Sequence, residues 1–278
     1  HGGLNSIKAS AKRIAAMKDT FLKNEVYPIH FMYDTGMLEE LKDILGFKNQ
    51  ELSNKVGAFT DYTDRILEWA TRKVGGALWR EMKSDACTPF TRVTSDGTYF
   101  LTRLADYLKN STHIQLHIVG HSAGSIFQAH SLARLFKIDE TLKVDSLHLM
   151  APAISYPLFN ETLAPLIESE HIASTTVYNL SGPLEKDDHV ARIYQKSLLY
   201  LVSNAFESKT AMPLLGMAAF NAPIANVTFK YSEGKEGDST AATSHGGFDS
   251  DVDTMNSVLT DITGGSPKYP FTKAILDY

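Results

Sequence analysis

The chain has 278 residues, 43% hydrophobic and 21% charged, an ordinary globular balance that excludes a disordered, collagen-like or coiled-coil protein. The formal net charge of −5 gives no electrostatic reason to bind nucleic acid or an anionic membrane. A single cysteine, Cys87, excludes an intrachain disulfide and fits a reducing, cytoplasmic setting.

In chain order, Ile7, Ala11, Ile14, Ala15, Phe21 and Leu22 follow a helical stripe. Val26–Tyr33 reads as a strand. Asp61–Asp85 reads as a helix with Ile66, Trp69, Ala70 and Val74 on one face, and Trp69, Trp79 and Met82 read as core or cap packing or as the lining of an acyl pocket. Tyr99–Leu108 predicts a further helix, and His113–Val119 a short strand ending at Gly120. A helix from Ala123 to about Phe136 follows. Val144–Met150, Thr175–Leu180 and Val227–Tyr231 predict three more strands. Between the last two, Val190, Ile193, Tyr194, Ser197, Leu198, Leu201, Val202 and Ala205 repeat at helical spacing. Met255, Val258, Leu259 and Ile262 mark a last helix, stopped by Gly264-Gly265.

Strands alternating with helices predict an α/β fold, one domain over residues 1–278. Its sheet is mostly parallel and twisted, with helices on both faces and a helical insertion around residues 58–86. The longest apolar stretch, Ala211–Phe220, contains Pro213 and Gly216. It falls far short of the ~20 residues that cross a bilayer, so no membrane span is expected. No Walker-type loop and no G-x-G-x-x-G occurs, so no nucleotide cofactor is expected.

Gly120-His121-Ser122-Ala123-Gly124 matches G-x-S-x-G, with a strand before it and an apolar helix after it. A nucleophile on so tight a turn sits on strained backbone and needs small neighbours, which Gly120, Ala123 and Gly124 supply. The new helix also turns its first amides toward the reacting centre. A serine nucleophile needs a base, and the base needs an acid. A polar loop leads to Ser244-His245-Gly246-Gly247-Phe248, and an earlier turn carries Glu185, Asp187 and Asp188.

The order serine, acid, histidine on this framework resembles the α/β-hydrolase superfamily, in its esterase and lipase branch. The resemblance runs from His1 to about Ile262. It implies Ser122 as nucleophile, His245 as general base and Asp187 or Asp188 as the orienting acid. Asp187 is preferred because Asp187-Asp188-His189-Val190 resembles the D-x-x-V ending of that loop; Glu185 comes third. His1-Gly2-Gly3-Leu4-Asn5 resembles the oxyanion loop, which implies donors at Gly3 and Ala123, with Gly2 or Leu4 as alternatives. His121, inside the elbow, reads equally as structural or as touching substrate. The family places three strands before its oxyanion loop, so the resemblance predicts upstream residues in the working polypeptide.

The implied activity is hydrolysis of a small-molecule carboxylic ester without metal or cofactor. Its rate would rise with pH through a histidine-like pKa. A thioesterase, an amidase or peptidase, and a binding protein that has lost turnover stay open as alternatives. Outside the site, His113 and His117 read as packed or hydrogen-bonded strand histidines rather than metal ligands. Asp249, Asp251 and Asp253 read as acids opening a helix.

Overall fold

The computed structural model describes residue 2 and residues 7–32, 61–111, 113–190 and 193–278. Helix α1 (Ile7–Lys23) opens the described chain. Helices α2 (Asp61–Cys87) and α3 (Asp96–Lys109) precede strand β1 (His117–His121). Helix α4 (Gly124–Ile138), β2 (Ser146–Met150), α5 (Tyr156–Glu168) and β3 (Thr175–Leu180) follow. A short helix α6 (Gly182–Asp187), a single turn α7 (Leu198–Leu201) and a π-turn (Val202–Phe206) lead to β4 (Val227–Ser232). Helices α8 (Val252–Thr263) and α9 (Lys273–Leu276) close the chain.

The four strands form one parallel sheet in the order β1-β2-β3-β4. Successive side chains on a strand point to opposite faces, so each strand serves two cores. Leu147, Leu149 and Val177 join the core formed with α2, α3, α4 and α5. Met150, Tyr178 and Leu180 join the second core, with Met17 and Phe21 of α1, Met255, Val258, Leu259 and Ile262 of α8 and Leu276 of α9. A parallel sheet covered on both faces is the α/β arrangement the alternation predicts. Helix α8 starts on an Asp251 side chain that accepts the Thr254 N–H and stops at left-handed Gly264 (φ 68°).

Three expectations are corrected and one helix is added. Residues Val26–Met32 form no strand, and Tyr33 lies outside the described residues. Pro28 has no N–H for a ladder, and Phe31 instead packs edge-on to Phe100 and against Phe127. The helix expected over 190–205 begins only at Leu198, while Val190 and Tyr194 pair in an antiparallel bridge. Tertiary acceptors take its amides: the Gln195 N–H donates to the Asp64 carboxylate at 3.0 Å and the Ser197 N–H to the Glu185 carbonyl at 2.8 Å. Helix α5 was not read in the sequence, because Pro157 and Pro165 interrupt its signal. Trp79 and Met82 are buried, but Trp69 is 79% exposed and not core.

Helix α2 spans the expected insertion from residue 61 onward. It carries Gly75 and Gly76 at its middle, where the π-turn packs against it. A side chain at Gly75 would run into the Phe206 ring.

Candidate active site

β1 ends at His121 and α4 begins at Gly124, so Ser122 sits on the connecting turn with φ of 52°. A non-glycine residue with left-handed backbone there is strained and needs support. The Ser122 N–H donates to the Met150 carbonyl at 2.9 Å. The Ser122 carbonyl accepts from the Ala153 N–H at 3.1 Å and from the Ser125 hydroxyl at 2.6 Å. A Cβ on Gly120 would lie 3.2 Å from the Gly124 backbone and 3.3 Å from Leu149, so any side chain there would push the turn apart by a few tenths of an ångström.

His245 arrives on the loop between β4 and α8 and is buried. Its Nε2 lies 2.9 Å from the Ser122 Oγ. Nε2 can accept the hydroxyl proton, which makes Ser122 the donor. The His245 backbone N–H donates to Asp188 Oδ2 at 2.8 Å, and the His189 N–H donates to Asp188 Oδ1 at 2.8 Å. Asp188 therefore fixes the loop that carries His245. Among the described residues, the buried His245 Nδ1 has no hydrogen-bond partner.

Asp187, the preferred acid from the sequence, is exposed as the last residue of α6. Asp188 is the first residue after the helix, in extended conformation, and it is the carboxylate beside His245. Glu185 is buried and accepts the Ala218 N–H at 3.2 Å. Burial pushes its carboxyl up to about 8, against the opposing effect of the Ala218 N–H.

Ala123 is buried at the head of α4, and among the described residues its N–H has no hydrogen-bond partner. It stands at the start of a helix, where the first amides have no intrahelical acceptor. Gly2 is buried, while Gly3 and Leu4 lie outside the described residues.

His121 lies beneath the site. Its Nε2 is 2.9 Å from the His245 carbonyl and its Nδ1 3.2 Å from Asp249 Oδ2. Asp249 forms an ion pair with Arg13 of α1. Tyr278 donates to the Asp249 carbonyl at 3.2 Å and accepts from Arg13 Nε at 2.8 Å. Burial raises the Asp249 carboxyl, but His121 and Arg13 outweigh it and hold it below the usual carboxylate range. Asp251, not Asp249, caps the helix that the acidic run opens, and Asp249 meets His121 instead. Arg13 gave no signal, because only the fold brings α1 to this loop.

Burial pushes the His245 ring down to about 3, with His121 adding to the effect and Asp249 opposing it. A base so depressed is unprotonated well below the ordinary histidine range. His117 Nδ1 lies 2.7 Å from the Ser146 Oγ, a hydrogen-bonded strand residue as expected. Among the described residues, no group of three or more His, Cys, Asp or Glu is placed to hold a metal, and no helix is long and apolar enough to cross a membrane. No protein-family model matches the chain, and neither a curated protein nor a solved structure does.

Proposed function

We propose that the protein is a serine hydrolase of the α/β-hydrolase kind, cleaving carboxylic esters through an acyl-enzyme on Ser122. One observation carries the reading. A serine at φ 52° on a strand-to-helix turn lies 2.9 Å from the Nε2 of a buried, unprotonated histidine. In this reading His245 takes the Ser122 proton as Oγ attacks the acyl carbon. The Ala123 N–H stabilises the oxyanion, a contribution of ~10²–10³ in rate for one such donor. The His245 imidazolium then protonates the departing alcohol. Water, deprotonated by His245, attacks the acyl carbon and releases the acid, returning the proton to Ser122. Asp188 is the acid of this site, since it grips the residue that must stay in place.

The bare Nδ1 of His245 favours a second reading, a binding protein that keeps the elbow without turnover. A fluorophosphonate probe separates the two. Labelling at Ser122, mapped by peptide mass and lost in Ser122→Ala, supports the hydrolase. A folded protein that takes no label overturns it. Matched ester, thioester and amide substrates then decide the acyl class.

A further inference from the structure

The His121 ring is a buried titratable group next to the base that this mechanism leaves unused. It is 5% exposed, and each of its nitrogens faces an oxygen: the His245 carbonyl at one and the Asp249 carboxylate at the other. A backbone carbonyl accepts only, and so does an ionised carboxylate. Asp249 stays ionised because Arg13 pairs with it in the interior. A neutral imidazole would turn one lone pair at one of these two acceptors. A ring that satisfies both donates from both nitrogens and carries a positive charge.

That charge lies close to the base. The His121 and His245 ring centroids are 5.7 Å apart, with both residues buried. Among the described residues, the titratable and charged groups around the pair come from four elements. Asp249 and Asp188 lie on the two loops, Arg13 on α1 and Tyr278 at the end of the chain. Arg13 forms an ion pair with Asp249, so a charged His121 brings a positive charge up to the His245 ring.

We infer that His121 is a positioning residue, a buried imidazolium held by Asp249 and Arg13. It clamps the His245 loop by its carbonyl and keeps the His245 ring free of a proton in acidic solution. The inference rests on the hydrolase reading of Ser122 and His245. The depression of His245, whose leading electrostatic contribution comes from His121, agrees with it.

The test is the second-order rate of fluorophosphonate labelling at Ser122 between pH 3.5 and pH 9, in the full chain. Wild type is compared with His121→Asn, which keeps a donor to the His245 carbonyl but removes the charge. Loss of a charge at this distance moves the acid limb of the profile up by about one to two pH units. A His121→Asn profile lowered at every pH, with its limb unmoved, overturns the inference and leaves His121 as a brace only. Nitrogen-15 spectra of the histidine rings in folded wild type give a second readout that needs neither labelling nor a folded variant. Two protonated ring nitrogens on His121 at pH 7 support the inference, and one protonated nitrogen overturns it. A wild type that shows this imidazolium but never labels overturns the hydrolase reading.

Discussion

Two buried serine–histidine pairs stand in contrasting settings, one just past the end of β1 and one within β2. Ser122 and His245 meet at 2.9 Å beyond the C-terminal end of β1, and Ser146 and His148 meet at 2.8 Å within β2. All four residues are buried, and burial pushes both histidines down to about 3. The hydrogen bond and the depressed base are therefore not what separates them. Ser146 stands on regular strand, its hydroxyl shared between His148 and His117. Ser122 stands on strained backbone at a helix start, beside the N–H of Ala123. A nucleophile needs a place for the charge it creates, and only the second setting supplies one.

The largest test of this contrast is covalent. Ser122→Ala is expected to abolish fluorophosphonate labelling and to lower ester turnover by roughly 10⁴-fold or more. Ser146→Ala is expected to leave labelling at Ser122 within a few-fold of wild type. Label found on Ser146 would break the comparison. The next largest effect separates the neighbouring acids. Asp188→Asn weakens the carboxylate that fixes the His245 backbone, with an expected loss of ~10²–10⁴ in kcat/KM. Asp187→Asn changes an exposed side chain and is expected to stay within about twofold. Steady-state kinetics on one ester, with both variants, reads the difference.

A third test uses pH and activity together. Protonated His245 cannot act as a base, and its folded value lies far below the ordinary 6.5. Turnover is thus expected to persist below pH 6 and to fall only as the pH approaches the depressed value. The sequence alone points to a limb near the ordinary histidine range. A turnover profile with its midpoint there would show that His245 is not held as the structure holds it.

The smallest effect is on stability. Above pH about 6.5 neither the folded nor the unfolded chain protonates these two histidines. As pH falls below that, the unfolded chain binds protons that folded His245 and His148 refuse, so stability is lost toward pH about 3. Scanning calorimetry is expected to show Tm falling between pH 7 and pH 4. His148→Gln removes one of the two groups and is expected to make that fall shallower.

Much of the site was legible because it leaves marks at fixed spacing. The turn around Ser122 demands small residues two places to either side, and glycines stand there. The choice between Asp187 and Asp188 was not legible, since it depends on the residue at which α6 ends. Helix leaves Asp187 pointing out, and the extended backbone of Asp188 turns its carboxylate to His245. Arg13 and Asp249 are joined only by the docking of α1 on the second core, which no local pattern encodes. In the fold, Thr175–Leu180 was read at its observed bounds because a buried strand is a continuous apolar or β-branched run. The stretch 190–205 was misread because its helical spacing is real, but Asp64 and the Glu185 carbonyl capture its amides.

The glycine notch in α2 has a consequence for how the molecule opens. Two glycines at mid-helix weaken α2 by about 1 kcal/mol each relative to alanine, so its centre is a soft point in isolation. The Phe206 ring fills that notch, and it is held there by the π-turn that ends at Phe206. The two segments are distant in the chain but depend on one another. Amide protons around Gly75 and those of residues 202–206 are expected to exchange with solvent in a single cooperative step. Loss of the Phe206 ring would then shorten the protection of α2 at its middle while leaving its two ends, and the elbow at Ser122, slow to exchange.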